Sequence, residues 1–221
     1  MHVVIEFPNP DQADEHGLLA AGGNLAVETL LCAYSQGIFP WYGEDQPILW
    51  WSPDPRMVLF ADQFHCSRRL ARRMRQPAYR FSRNEAFEQV ISHCADIPRA
   101  GQHGTWIFPE MIDAYMAMHQ QGFAHSFEVW QGERLIGGLY GVLHHQVFFG
   151  ESMFSCQRDG SKMAMAMMIE AALHESWKVI DCQFYTDHLA SLGGVEISRQ
   201  AFLQLIRGSD ISPSSRFSGD S

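Results

Sequence analysis

Across residues 161–178 the chain carries Met163, Met165, Met167, Met168, Ile169 and Leu173 with alanines between them, a helical pattern apolar nearly all round. A helix with no polar face must be buried on more than one side, so the rest of the chain has to supply the surfaces that cover it. Met165, Met168 and Ala172 fall at i, i+3, i+7 on one stripe. That stripe is either plain core, methionine being the usual filler of irregular gaps, or the wall of a cavity for apolar side chains of differing shape. The next segment, Lys178-Val-Ile-Asp-Cys-Gln-Phe184, reads as an apolar strand. Alternation predicts that Asp181 and Gln183 share one face of it. A buried acid beside a buried amide is costly unless bonded or used, so the two are either a structural pair satisfied by backbone or a candidate site.

Upstream, residues 126–130 alternate as a strand, Gln131-Gly132-Glu133 turns, and residues 135–143 form a second strand up to the turn at His144-His145. A third strand, residues 147–149, leads to Gly150-Glu151-Ser152. The order strand, strand, strand, helix, strand is that of an α+β acyltransferase-like core. Helices are predicted at residues 27–34, 64–75, 84–95 and 109–121. Gly22-Gly23, Pro40, Pro47, Pro53 and Pro55 divide the first sixty residues into short elements joined by turns. Aromatics gather there at residues 38–42 and 49–53, either packed over a neighbouring domain or kept as stacking surfaces.

With 221 residues, 46% of them hydrophobic, the chain can bury a core as one domain or one and a half. No apolar run is long enough to span a bilayer and residues 1–7 lack the features of a signal peptide, so a cytoplasmic protein is expected. Five cysteines without a C-x-x-C pair suggest reduced thiols, neither a disulfide framework nor a zinc site. His119, His125, His144, His145 and His188 make no recognisable metal pattern. Gly150-Glu-Ser-Met-Phe lacks the second glycine of a nucleophile elbow. The formal charge of −9 is unevenly spread. Arg68, Arg69, Arg72, Arg73, Arg75, Arg80 and Arg83 form a run with no acidic residue inside it; taking those seven charges from −9 leaves −16 on the remainder. The run is either a holder for a phosphate backbone or a solvated basic helix face, and the acidic remainder suits a cationic partner.

Several segments together resemble the leucyl/phenylalanyl-tRNA–protein transferase family. They are Gly17-Leu-Leu-Ala-Ala-Gly-Gly-Asn24, Gly37-Ile-Phe-Pro-Trp41, Pro47-Ile-Leu-Trp-Trp-Ser-Pro-Asp-Pro-Arg56, Gly104-Thr-Trp-Ile107, Gly122-Phe-Ala-His-Ser126, Gly137-Gly-Leu-Tyr-Gly141, Gly150-Glu-Ser-Met-Phe-Ser155, Ile180-Asp-Cys-Gln183 and His188-Leu-Ala-Ser-Leu-Gly193. The resemblance implies a small N-terminal α/β domain over residues 1–62 and a GNAT-like (acyl-CoA N-acyltransferase-like) mixed-sheet domain over 63–208, while the Ser-rich composition after Gly208 predicts a loose tail from 209. It implies transfer of Leu, Phe or Met from aminoacyl-tRNA to the α-amino group of proteins beginning with Arg or Lys, creating a degradation signal, without metal or soluble cofactor. Carried over by position, Gln183 contacts the attacking amine, Asp181 polarises Gln183, and Glu151 helps hold the aminoacyl end or the amine. Phe148, Met153, Met165, Met168 and Ile180 would line the aminoacyl pocket. Trp41 and Trp106 would face the terminal adenosine and the peptide entrance, and the arginine run would hold the acceptor stem. Gly160 and Ser198 depart from the family's usual Ala and Pro.

Two other readings compete. Gln157-Arg-Asp-Gly160 before a helix is weakly similar to a pyrophosphate-binding loop, which would suit an acyl-CoA N-acyltransferase. An RNA-binding module without catalysis is the remaining alternative, favoured only if Asp181 and Gln183 are structural.

Overall fold

The prolines and glycines of the first sixty residues leave room only for short elements, and a computed structural model, which describes residues 6–96 and 107–208, contains them. Strand β1 (Leu18–Ala21), helix α1 (Val27–Ser35) and strands β2 (Phe39–Pro40) and β3 (Leu49–Trp51) come first, and the strands form a small antiparallel sheet in the order β1-β3-β2. After the Pro53 and Pro55 turn, β4 (Arg56–Leu59) leaves that sheet. The basic run becomes helix α2 (Arg68–Met74) and strand β5 (Tyr79–Arg83), followed by α3 (Phe87–Asp96) and α4 (Pro109–Gln120). Helix α2 starts four residues later than the periodicity suggests because Ser67 Oγ accepts the Leu70 N–H and caps it there.

The alternating segment is an antiparallel meander of β6 (Ala124–Gln131), β7 (Arg134–His144) and β8 (Val147–Ser155). Helix α5 (Gly160–His174) then crosses back to β9 (Val179–Gln183), which pairs parallel to β8, as a parallel pair requires. The chain ends its described course in α6 (Asp187–Ser191), β10 (Val195–Ile197) and α7 (Arg199–Ile206). Helix α5 stops at His174 rather than 178 because Ser176 turns left-handed at φ 57° and the Trp177 N–H closes on Ala172 O.

The large sheet has the order β10-β4-β9-β8-β7-β6-β5. β4 lies N-terminal to the domain boundary expected after residue 62, yet its hydrogen bonds are inside this sheet, between β10 and β9. Side chains alternate across it into two cores. Phe148 and Leu139 face Met163, Met165, Met168 and Trp177 of the α5 segment, whereas Phe149 and Tyr140 face α1, α3, α4 and α7. The apolar α5 is thus sunk against one face, with Leu173 the large apolar side chain on it left exposed, at 56%. Burying each of Met163, Met165, Met168 and Ile169 contributes roughly 1.5–3 kcal/mol. Its first turn approaches β7 so closely that a Cβ on Gly137 would lie 2.4 Å from the Gly160 carbonyl carbon. Gly160 would with a Cβ meet Ile136 O at 2.6 Å. Among the described residues no helix is long and apolar enough to cross a membrane. The tail from residue 209 lies outside the described residues.

Candidate active site

The parallel ladder between β8 and β9 runs from Val147/Val179 to Phe149/Asp181 and ends there. Beyond it each strand carries one extra residue. Tyr140 pairs with Ser152 and Gly141 with Gly150, so Glu151 is bulged out of β8; Met57 pairs with Gln183 and Val58 with Asp181, so Cys182 is bulged out of β9. A bulge bends its strand and re-aims side chains. Two bulges side by side open the sheet between Glu151 and Gln183.

A pocket of about 160 Å³ fills that opening. Phe148, Met153, Met165, Met168 and Ile180 all line it, together with Leu139 and Leu189, so the stripe on α5 is a cavity wall as well as core. Glu151, Ser152 and Gln183 supply its polar groups. An apolar cavity of about 150 Å³ is known to admit a benzene ring, so the volume suits one large apolar side chain. Cys182 also borders the pocket, and burial pushes its thiol well above the ordinary range, which makes it a poor nucleophile.

Asp181 and Gln183 do not share a face, contrary to simple alternation. The bulge at Cys182 and a left-handed Gln183, φ 59°, break the period. Gln183 borders the pocket, while Asp181 is turned to the other side of the sheet and fully buried. There its carboxylate takes two bonds from Arg56, Nε to Oδ1 at 2.8 Å and Nη2 to Oδ2 at 2.7 Å. Arg56, also fully buried, donates from Nη1 to Gly37 O and lies between the Phe39 and Phe202 rings. Asp181 Oδ1 additionally accepts the backbone N–H of Gln183 at 3.0 Å. Among the described residues no hydrogen bond joins the Asp181 carboxylate to the Gln183 carboxamide. Asp181 thus holds Gln183 through its backbone and its unusual φ.

Glu151 sits in a cluster of two tyrosines. Tyr34 Oη donates to Oε1 at 2.7 Å, Tyr115 Oη donates to Oε2 at 2.9 Å, and the two phenol oxygens are 2.6 Å apart. Desolvation pushes the Glu151 carboxyl up to about 7, helped by the Asp181 charge and opposed by the two phenols and Arg56. Burial raises both tyrosines well above their ordinary range. Arg56, Tyr34 and Tyr115 carry no assigned role in the sequence. A signal exists for the tyrosines: Leu30 and Tyr34 in α1, and Met111, Tyr115 and Met118 in α4, are spaced as buried stripes, and a buried phenol needs a partner.

Trp41 packs with Trp51 and Phe184, ring centroids 5.6 and 5.4 Å away, so this aromatic group adjoins Gln183 directly. Trp106 lies outside the described residues. The arginine run divides. Arg68, Arg69, Arg72 and Arg75 lie on and just after α2 and make no ion pair among the described residues. Arg73 pairs with Asp159 at 3.0 Å and lies over Tyr79; Arg80 pairs with Glu85 and Arg83 with Glu175, over Trp130 and over Phe127 and Trp177 respectively. Two clefts share Arg69. One, of about 230 Å³, is bordered by Arg69, Arg72 and Arg73; the other, of about 260 Å³, is bordered by Arg69, Arg158, Lys162 and Asp159, the last three far from the run in sequence.

The start of α5 is not an open anion site. The Gly160 N–H goes to Gln157 O and the Ser161 N–H to Ser155 Oγ, and the neighbouring Asp159 carboxylate, paired with Arg73, puts a negative charge next to it. Among the described residues no three His, Cys, Asp or Glu side chains are grouped as metal ligands.

Comparison with known proteins places this geometry. Residues 58–207 match the model of the leucyl/phenylalanyl-tRNA protein transferase family, and residues 23–54 match that of its N-terminal domain. A leucyl/phenylalanyl-tRNA–protein transferase of Anaeromyxobacter sp. (strain Fw109-5) is 55% identical over 90% of this chain and 85% of its own. One of Xanthomonas axonopodis pv. citri (strain 306) is 52% identical over 91% and 82%. Among solved structures, FemX is similar at TM-score 0.46 and 12% identity over 81% of this chain and 70% of its own, a likeness too distant to extend to chemistry. Two family models covering both the small sheet and the large one, and relatives at half identity over nine-tenths of the chain, give one result: the chain belongs to the leucyl/phenylalanyl-tRNA protein transferase family.

Proposed function

We propose that the pocket between β8 and β9 receives the side chain of Leu, Phe or Met carried on tRNA, and that Gln183 and Glu151 at its polar end face the amine that attacks. The chain is an aminoacyltransferase that moves an amino acid from aminoacyl-tRNA to a protein N-terminus. The acceptors are proteins beginning with Arg or Lys, which the acidic remainder of the chain suits, and the product is a degradation signal in the cytoplasm. The observation that carries this reading is the pocket itself, apolar along its length and polar only where the two strands separate. A large mixed sheet whose parallel pair parts beside the site also supports a GNAT-like layout of the catalytic part.

The reaction is aminolysis of an activated ester. The amine nitrogen bonds to the carbonyl carbon, the bond to the ribose oxygen breaks, and that oxygen ends with the proton the nitrogen gives up. An α-amino group with a pKa of about 7.7–8.0 is partly neutral near pH 7, so positioning outweighs base strength. Gln183 orients the amine, and Asp181, both oxygens engaged by Arg56, fixes the Gln183 backbone instead of acting as a base. Trp41 and Trp106 serve the terminal adenosine and peptide entrance, a stacked base being worth about 1–3 kcal/mol. Arg68, Arg69, Arg72 and Arg75 hold the acceptor stem through phosphate, without reading its sequence.

Single-turnover transfer from phenylalanyl-tRNA to peptides beginning with Arg, Lys or Ala tests the reading. Products with Arg and Lys peptides and none with Ala are expected, together with no binding of acetyl-CoA. Transfer to all three alike removes the acceptor assignment, and acetyl-CoA turnover without aminoacyl transfer favours the acyl-CoA reading.

A further inference from the structure

Three oxygen contacts close a ring around Glu151: carboxyl to Tyr34 at 2.7 Å, carboxyl to Tyr115 at 2.9 Å, and Tyr34 to Tyr115 at 2.6 Å. Each hydrogen bond needs one proton. Two phenols bring two, and an ionised carboxylate brings none. With Glu151 ionised, one of the three contacts sets lone pairs against lone pairs at hydrogen-bonding distance in a buried site, where an unmade bond is costly. A proton on the carboxyl supplies the third bond, and the ring closes with each of the three groups donating once and accepting once. One carboxyl oxygen donates to its phenol, the other accepts from the second phenol, and the phenols bond to each other, so the neutral form reverses one of the two phenol-to-carboxylate bonds.

Resting on the transferase reading above, we propose that Tyr34 and Tyr115 are positioning residues that hold Glu151 in the transfer site as a neutral carboxylic acid, locked in a three-proton ring. Glu151 therefore shapes the amine end of the pocket as an uncharged group instead of binding the amine as an anion. Tyr34 comes from α1, Tyr115 from α4 and Tyr140 from β7; burial and the Asp181 charge on β9 favour the neutral carboxyl, while Arg56 on β4, whose guanidinium is bonded to Asp181, works against it. The carboxyl, raised to about 7, gives up its proton around neutrality.

Glu151→Gln provides the test, since a carboxamide completes the same ring and has no proton to lose near neutral pH. The first measurement is urea unfolding of both full-length proteins from about pH 4.5 to 8, which does not depend on any catalytic reading. Wild type is expected to lose stability relative to the Gln variant as pH rises from the ordinary carboxyl value of 4.5 to about 7 and to level off above it; a pH-independent difference overturns the ring. The second is the ratio of wild-type to Glu151→Gln single-turnover rates with phenylalanyl-tRNA and an Arg-starting peptide. The ratio cancels ionisation of the amine itself, and it is expected to fall about tenfold between pH 6 and 8. A ratio that rises with pH, or a folded Gln variant with no transfer at any pH, shows that the anion is the working form and overturns the proposal. A pH-dependent stability difference beside a flat ratio shows a ring with no part in transfer, and overturns it equally. If wild type itself makes no product, the transferase reading has failed, while the unfolding result still decides the ring.

Discussion

Asp181 and Gln183 are two residues apart and do different work, because a bulge and one left-handed residue stand between an ion pair and a pocket. Removing one partner of a fully buried ion pair leaves the other uncompensated, which costs about 3–5 kcal/mol. Asp181→Asn should therefore lower the unfolding free energy measured in urea by an amount in that range as well as lowering transfer. Gln183→Ala should lower transfer with a change in stability of under about 1 kcal/mol, its side chain being half-buried at the pocket edge. Equal stability losses in the two would contradict the division. His125 supplies a pH dependence opposite in sense to that of Glu151. Burial holds its imidazole down at about 4, and Asn84, whose Oδ1 accepts the Ser126 N–H, points its amide nitrogen at Nδ1, which must then be unprotonated. A folded pKa below the unfolded 6.5 contributes stability that is complete above 6.5 and lost as pH falls toward 4. His125→Gln should make the acid limb of the stability curve shallower over that window, measured by thermal unfolding.

At the scale of elements, the sequence reveals whatever keeps its period. Helix α5 stands out as a long apolar run, and strands β6, β7 and the first residues of β9 show through their apolar or alternating stretches, so their existence, order and α+β class are legible. Strand β8 is legible only over residues 147–149 because Gly150 and the bulged Glu151 interrupt alternation, although pairing continues to Ser155. Strand β5 is concealed in the arginine run, and β4 behind Pro53 and Pro55. The pocket's apolar walls are legible as positions; the face of Asp181 is not, since alternation does not reveal a bulge. Packing at the start of α5 gives an element-level test. Gly137→Ala would drive a Cβ to 2.4 Å from Gly160 and push the helix off β7, with a loss of about 1–3 kcal/mol for overpacking, measured by urea unfolding. The arginines give another. Replacing Arg72 and Arg75 with Ala should reduce the log–log salt slope of tRNA binding by about 0.9 for each duplex phosphate no longer neutralised. Arg73→Ala, which breaks the pair with Asp159, should change that slope less than either; an unchanged slope in the first variant would leave α2 a merely solvated helix.

On the scale of the whole molecule, the site belongs to no single segment. Tyr34 arrives from α1 beside the small sheet, Arg56 from the strand that crosses into the large one, and the pocket from β8, α5 and β9. On the proposed function, together they form a cavity for an unbranched or γ-branched side chain with a polar end toward the amine. Methionines at 153, 165 and 168 can reshape around Leu or Phe, whereas a β-branched donor carries its branch next to the reacting carbonyl. Shape discrimination of this kind is worth about 1–3 kcal/mol, so Ile should be rejected strongly but incompletely. The most direct test is single-turnover transfer from Leu-, Phe- and Ile-charged tRNA by wild type and by Met168→Phe. Filling the pocket from α5 should penalise Phe more than Leu, with Ile poor in both proteins; equal losses for Leu and Phe would place Met168 in ordinary core and contradict the assignment of this pocket to the aminoacyl side chain.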